Sequence, residues 1–306
     1  MSRWTISDNT TARIASSGKR GVTLLLPGGE TVKARVSSNV FREYKNPVCG
    51  DVATVVNRQG AWYVEKIETR KGILERTSPV GKRQVLAANI DLVVIVASIA
   101  SPPLRRGFVD RALASAEWNR LPAALVFNKI DLRETTEAAD LTVLEKVYGK
   151  QAGYTVVQTS TVTGEGINSF KNLIDGKTVA LAGISAAGKT SLIQAIHPDL
   201  NLRIGSVNAK TTKGKHTTVS ARLIPLENET FLMDTPGLRA FSVDHIPKEE
   251  LGYCFTEFEG AGRCRFRNCL HETEPGCAVL EAVENGTIDK ERHLSYLKLL
   301  HEDNTF

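Results

Sequence analysis

Eight residues, Gly183-Ile184-Ser185-Ala186-Ala187-Gly188-Lys189-Thr190, follow the spacing G-x-x-x-x-G-K-[ST], and their types suit phosphate. Glycines let backbone N–H groups curl around phosphate oxygens at a helix N-terminus. Lys189 would reach the β- and γ-phosphates, and the Thr190 hydroxyl would ligate Mg²⁺, with Ser191 next in the same nucleotide-binding stretch. Asn128-Lys129-Ile130-Asp131 fits N-K-x-D, a guanine-reading element. A carboxylate accepts at two oxygens, so Asp131 suits the N1–H and exocyclic amine of guanine. Adenine offers no such donor pair and would leave a buried Asp131 unpaired. Lys129 would pack its stem along the base, and Ser160-Thr161 fits a short second base-contacting loop. Asp234-Thr235-Pro236-Gly237 fits D-x-x-G: Asp234 would hold Mg²⁺, usually through water, and the Gly237 amide would sense the γ-phosphate. Between these motifs lies Gly214-Lys215-His216-Thr217-Thr218, where Thr217 or Thr218 is expected to close on Mg²⁺ and the γ-phosphate.

A second constellation is of another kind. Cys264, Cys269, His271 and Cys277 supply three thiolates and one imidazole, a complete tetrahedral set for structural Zn²⁺ with no open position for a catalytic water. Cys49 and Cys254 lie outside it and read as ordinary thiols. Arg263, Arg265 and Arg267 interleave with Phe266 beside the first ligand, either to contact RNA or as a solvated knuckle.

These residues need elements to position them. Val22–Leu26, Thr31–Val36, Asp51–Val56 and Ala61–Ile67 are short β-type runs punctuated by Gly and Pro, which predict a small barrel of OB or SH3-like type over residues 1–72. Residues 70–88 read as a connector. Asp91–Ala97 is a continuous apolar run, as in a strand buried on both faces of a parallel sheet. A helix around Phe108–Trp118, a strand at Leu121–Phe127, a helix near 137–148 and strands at Tyr154–Gln158 and Thr178–Ala182 alternate as in α/β folds. Another apolar strand, Thr230–Met233, leads into Asp234. The predicted domains are 1–72, 73–240 and 241–306, the last holding the cysteine cluster and a helix near 278–301.

Charge and composition bound the function. Residues 1–72 carry 12 Lys/Arg against 6 Asp/Glu, residues 73–240 carry 20 against 15, and residues 241–306 carry 7 against 13. The basic N-terminal and central parts suit a phosphate-rich partner such as nucleic acid, or are ordinary solvated surface. Residues 200–226 contain Arg203, Lys210, Lys213, Lys215 and Arg222 and no Asp or Glu, so they form a basic stretch. No window approaches the ~18 uncharged apolar residues of a membrane span. Met1-Ser2-Arg3-Trp4-Thr5 is polar and has no apolar signal core, so a secreted or membrane-spanning protein is not expected; the clustered cysteines fit a reducing cytosol, and a cytoplasmic location and a monomer are the expectations.

The order base motif, phosphate loop, switch I (Gly214-Lys215-His216-Thr217-Thr218) and switch II (Asp234-Thr235-Pro236-Gly237) inverts the usual GTPase order, in which the base motif comes last. Taken with Gln84–Asp91, Lys215–Thr218 and the Cys/His cluster, it makes the chain closely resemble the ribosome small subunit-dependent GTPase A (RsgA/YjeQ) family of circularly permuted GTPases. The resemblance spans nearly the whole chain. It implies an N-terminal OB domain, a central GTPase and a helical zinc domain, with GTP/GDP, Mg²⁺ and one structural Zn²⁺. It also implies late maturation of the small ribosomal subunit, contact with its rRNA, and hydrolysis stimulated by that subunit. Two departures stand out: Ala186-Ala187 where members commonly have Gly-Val, and Thr161 where they commonly have Ala. A left-handed backbone at Ala186 would be strained.

Many GTPases position the attacking water with a glutamine just after the D-x-x-G glycine. Leu238 stands there and cannot bond water. His216 is the nearest candidate and resembles the histidine proposed for this role in the family; the alternative is a histidine merely packed in, or exposed on, a loop. Two competing readings stay open: a P-loop ATPase or small-molecule kinase, which Asn128–Asp131 argues against, and a nucleotide-gated RNA-binding module with little turnover.

Overall fold

The computed structural model describes residues 9–18, 21–44, 46–77, 83–198, 200, 221–234 and 241–302, with the side chains of Thr77 and Asp234 left out. Strands β1 (Thr10–Gly18), β2 (Gly21–Leu25), β3 (Thr31–Val36), β4 (Val52–Arg58) and β5 (Ala61–Ile67) close into a barrel in the order β1-β2-β3-β5-β4. Helix α1 (Ser38–Tyr44) crosses between β3 and β4. Alternation turns Ile14, Leu24, Val55 and Val64 into one buried core, and closure leaves no free sheet edge. Strand β1 and helix α1 are additions to the runs read from sequence. The apolar residues of β1 are diluted by Thr, Ser and Gly, so its pattern is weak.

The expected connector 70–88 instead contains a hairpin, β6 (Leu74–Thr77) against β7 (Arg83–Ala87). Its Leu74 and Ala87 join the main core, which is why this stretch is ordered into strands.

A six-stranded sheet follows, built from β8 (Leu92–Ser98), β9 (Ala123–Asn128), β10 (Thr155–Thr159), β11 (Thr178–Ala182), β12 (Arg222–Pro225) and β13 (Phe231–Asp234). Its order is β10-β9-β8-β11-β13-β12, parallel throughout except that β12 runs antiparallel to β13. Every residue of β8 is buried, as its continuous apolar run requires. Helices α2 (Arg106–Trp118), α3 (Leu141–Leu144, continuing as a π-helical segment Glu145–Gln151), α4 (Ile167–Ile174) and α5 (Lys189–Ile196) connect the strands. Helix α3 starts later than the stretch 137–148 suggested, because Asp140 caps it by accepting from the N–H groups of Thr142 and Val143.

The C-terminal part is helical: α6 (Lys248–Leu251), α7 (Thr256–Glu259), α8 (Ala278–Glu284) and α9 (Lys290–Leu300). The single helix expected over 278–301 is two. Asn285-Gly286 ends the first, with Gly286 at φ +78, and the Asp289 carboxylate starts the second by accepting from Arg292 N–H. Among the described residues no helix is long and apolar enough to cross a membrane.

Candidate nucleotide site and zinc cluster

The parallel strands point their carboxyl ends the same way, and the motifs sit there. Asn128 ends β9, Ser160 follows β10, the phosphate loop follows β11, and Asp234 ends β13. This edge is where open α/β sheets bind ligands. Strands β9 and β11 flank β8, so base motif and phosphate loop meet across its carboxyl end although their asparagine and lysine are 61 positions apart in the chain.

The two motifs are bonded directly. Asn128, buried, donates through Nδ2 to the Ala187 carbonyl at 3.0 Å and accepts at Oδ1 from Thr159 Oγ1 at 3.0 Å. Gly188 has φ +99, and a Cβ there would lie 2.0 Å from Asn128 Nδ2. The glycine is therefore required by both its backbone conformation and the asparagine beside it. Thr159 was not singled out by motif; its position at the end of a strand beside β9 was the available signal.

Asp131 is held by Ser160, whose hydroxyl donates to Oδ1 at 2.5 Å and accepts from the N–H groups of Val162 and Thr163 at 3.1 Å each. The carboxylate is thereby oriented while keeping acceptor capacity for a base. Lys129 takes φ +66, Ile130 is buried beneath the loop, and Thr161 is half-buried beside Ser160.

In the phosphate loop Lys189 Nζ donates to the carbonyls of Gly183 and Ile184 at 2.7 and 2.9 Å. Its cation is thus held at the start of the loop, and Thr190 and Ser191 follow in the first turn of α5. Ala186 does adopt the left-handed backbone, φ +62. A non-glycine residue there costs roughly 1–2 kcal/mol, strain the glycine common in the resembling family would not carry. His216, Thr217, Thr218 and Gly237 lie outside the described residues, as does the side chain of Asp234.

The four zinc-type ligands converge. Their donor atoms all lie within 4.8 Å of one another. Cys264 Sγ is 3.8 Å from Cys277 Sγ, and His271 Nδ1 is 3.5 Å from Cys264 Sγ and 3.4 Å from Cys277 Sγ. Zinc bonds of about 2.3 Å to sulfur and about 2.0 Å to nitrogen imply tetrahedral edges of roughly 3.8 and 3.5 Å. The donor set therefore fits zinc, through Nδ1 of the histidine. Its supports were not legible as motifs. Glu274 accepts from the N–H groups of Leu270, Glu272 and Thr273 at 2.6, 2.8 and 3.1 Å. Burial opposes ionisation of Glu274, but these amides outweigh it and hold the carboxyl down at about 2. Tyr296 OH donates to the Leu270 carbonyl at 2.7 Å, and Phe258 packs edge-on to the His271 ring at 5.5 Å.

The family model described as RsgA GTPase matches residues 67–244. The chain belongs to the RsgA GTPase family. Curated relatives named small ribosomal subunit biogenesis GTPase RsgA include one from Caldanaerobacter subterraneus subsp. tengcongensis, 41% identical over 89% of this chain and 88% of its own. Another, from Bacteroides fragilis, is 36% identical over 90% of this chain and 91% of its own. Among solved structures, YjeQ from Thermotoga maritima superposes with a TM-score of 0.80 at 31% identity, covering 96% of this chain and 98% of that one. YloQ, described as a circularly permuted GTPase, gives 0.73 at 26% identity over 99% and 97%. As an RsgA-family member the chain is a GTP hydrolase, and the family implies GTP, GDP and Mg²⁺. Its architecture is a multidomain α/β one: an OB-type barrel, a circularly permuted P-loop GTPase domain, and a helical part carrying a Cys₃His cluster compatible with zinc.

Proposed function

We propose that this GTPase binds the small ribosomal subunit through its rRNA, assists late maturation of that subunit, and hydrolyses GTP faster when bound to it. The observation that carries the reading is the bonded pair of motifs, Asn128 on the Ala187 carbonyl, which joins a guanine-type pocket to a phosphate loop at one sheet edge. The names of the relatives add the subunit, and the basic charge of residues 1–72 and of the switch region suits rRNA.

In this reading Asp131 and Asn128 select guanine, with Lys129 and Ile130 bordering the base and Ser160-Thr161 backing it. Gly183–Ser191 cradle the phosphates. Thr190 and Asp234 hold Mg²⁺, and Thr217 or Thr218 and the Gly237 amide close on the γ-phosphate. Bound Mg²⁺ supplies charge neutralisation at the β- and γ-oxygens. His216 positions the attacking water, since Leu238 has no group to do so. Cys264, Cys269, His271 and Cys277 hold one structural Zn²⁺. The domains divide at residues 72 and 240, and the protein acts as a cytoplasmic monomer.

GTP turnover is measured for the protein alone, with small subunits and with large subunits, for the native chain and His216→Ala. Stimulation by small subunits alone is expected, with His216→Ala losing turnover at least about tenfold while keeping GTP affinity. Equal turnover in all three conditions, with GTP bound, would overturn the reading in favour of a nucleotide-gated RNA-binding module.

A further inference from the structure

The N-terminal barrel does not merely precede the GTPase domain; it grips one strand of it. Strand β13, Phe231–Asp234, alternates between two faces of the sheet. Leu232 enters the core formed with α4 and α5, whereas Phe231 and Met233 face the core that also contains Ala15, Leu25 and Cys49 of the barrel.

Each of those two residues meets the barrel. Arg13, on β1, lays its guanidinium over the Phe231 ring at 4.4 Å from the centroid and donates to Thr178 Oγ1 at 3.4 Å. Thr178 is Phe231's partner across β11 and β13. Two positions along, Met233 Cε fills the space over Gly50, at φ +89, where a Cβ would lie 2.7 Å from that methyl and 2.1 Å from the Ala88 carbonyl. The segment around Gly50 is itself pinned to the start of the GTPase domain. Ala88 N–H donates to the Cys49 carbonyl at 3.0 Å, and Asn89 Nδ2 donates to the Gly50 carbonyl at 2.9 Å. Within the barrel, the Ile14 N–H donates to the Asp51 carbonyl at 2.8 Å and the Gly50 N–H to the Ile14 carbonyl at 2.8 Å, so both grips belong to one rigid piece.

From this we infer that the barrel is a positioning element for the hydrolytic site: Arg13 and Gly50 fix Phe231 and Met233, and so set where β13 delivers Asp234, the residue that follows Met233. The inference rests on Asp234 holding Mg²⁺, as proposed above. A strand gripped at alternate residues cannot slide or twist without breaking a cation–π contact or opening a cavity. Whatever shifts the barrel, such as a phosphate-rich surface bound to its basic residues, thereby shifts the Mg²⁺ ligand.

The test uses the full-length protein and the Mg²⁺ concentration giving half-maximal GTP turnover. Arg13→Ala is expected to raise it roughly 3- to 10-fold, the scale of coupling through a packed network. GDP affinity measured in EDTA should be unchanged, which a general loss of folding would not leave intact. Arg13→Lys, which keeps a cation for the ring, should recover part of the shift. Arg35→Ala, an exposed arginine elsewhere on the barrel, controls for lost charge and should not move the Mg²⁺ requirement. Asp234→Asn is run beside them. If Asp234→Asn raises the Mg²⁺ requirement and Arg13→Ala does not, the positioning role is overturned. If Asp234→Asn has no effect either, the assignment of Asp234 to Mg²⁺ fails, and the inference fails with it.

Discussion

The two flanks of the GTPase sheet are attached by opposite chemistry. On the barrel side the contacts are a guanidinium on an aromatic face, a methyl over a glycine, and single backbone hydrogen bonds. On the C-terminal side they are buried ions. Arg292 on α9, almost fully buried, donates from Nε and Nη2 to both oxygens of Glu257 on α7 at 2.7 and 2.8 Å, and from Nη1 to Asp110 on α2 at 2.9 Å. Tyr148 OH donates to the same Asp110 oxygen at 2.8 Å, and its ring lies under the Arg292 guanidinium, 5.4 Å from the centroid. Arg106 adds a close ion pair to Asp289. Burial alone would lower the Arg292 pKa, but Asp110 and Glu257 outweigh it and hold the guanidinium well above its ordinary value. Small apolar and cation–π contacts can travel together with the strand they grip through a shift of an ångström. A buried ion triad cannot, because each partially broken state leaves a charge without a partner. The C-terminal flank is thus built as a fixed brace, and the barrel flank as an adjustable link to β13.

The sharpest break of this comparison is Arg292→Met. It removes the shared cation and leaves Asp110 and Glu257 facing each other in a dry interface, with Asp110 Oδ2 already without a hydrogen-bond partner among the described residues. A loss of about 3–5 kcal/mol is expected in urea denaturation. A triple replacement, Arg292→Met with Asp110→Leu and Glu257→Met, should recover most of it, since no charge is then stranded. If Arg292→Met alone costs under about 1 kcal/mol, the brace is not one.

On the barrel side Gly50→Ala is the matching test. The new Cβ meets the Ala88 carbonyl at 2.1 Å on a backbone with φ +89. The expected cost is smaller, roughly 1–3 kcal/mol, because the hairpin and Met233 can yield. The transition should broaden or split as the barrel loosens before the sheet, read by following the barrel's Trp62 and the sheet separately. A single unchanged transition would mean that the barrel junction is as rigid as the other flank.

The contrast also decides what the sequence could reveal. The phosphate loop, N-K-x-D and the Cys/His cluster are local patterns, so their residue types and spacing state the chemistry before any fold is known. The brace is not local: Arg292 lies 182 positions from Asp110 and 35 from Glu257, and no spacing rule joins them. The grip of Arg13 on Phe231 is hidden for the same reason. The barrel's β1 was illegible for a different one. Thr10–Gly18 carries small and polar residues on a closed sheet, where Ala12 and Ile14 suffice to fill the interior. Conversely, the cost of Ala186 was stated by the sequence as a condition, and the backbone at φ +62 meets it.

The smallest expected effect lies at the edge of the C-terminal flank, where His245 meets the end of α2. Its ring packs edge-on to Trp118 at 6.3 Å, and neither ring nitrogen has a hydrogen-bond partner among the described residues. Burial lowers its pKa from the ordinary 6.5, opposed by Asp244 and Glu75 and assisted by Arg83. The unfolded chain therefore takes up the proton first as pH falls. Stability contributed by the neutral ring is present above about pH 6.5 and is lost as pH falls toward the folded value. The loss should be under about 1 kcal/mol, since a single imidazole titrates and the neighbouring Asp244 and Glu75 oppose the shift. His245→Phe keeps the contact with Trp118 and removes the titration. Thermal midpoints at about pH 7.5 and about pH 5.5 should therefore converge in the variant relative to the native chain. An equal acid-induced drop in both proteins would assign the pH sensitivity of this flank to groups other than His245, among them the Arg106–Asp289 pair and the buried triad.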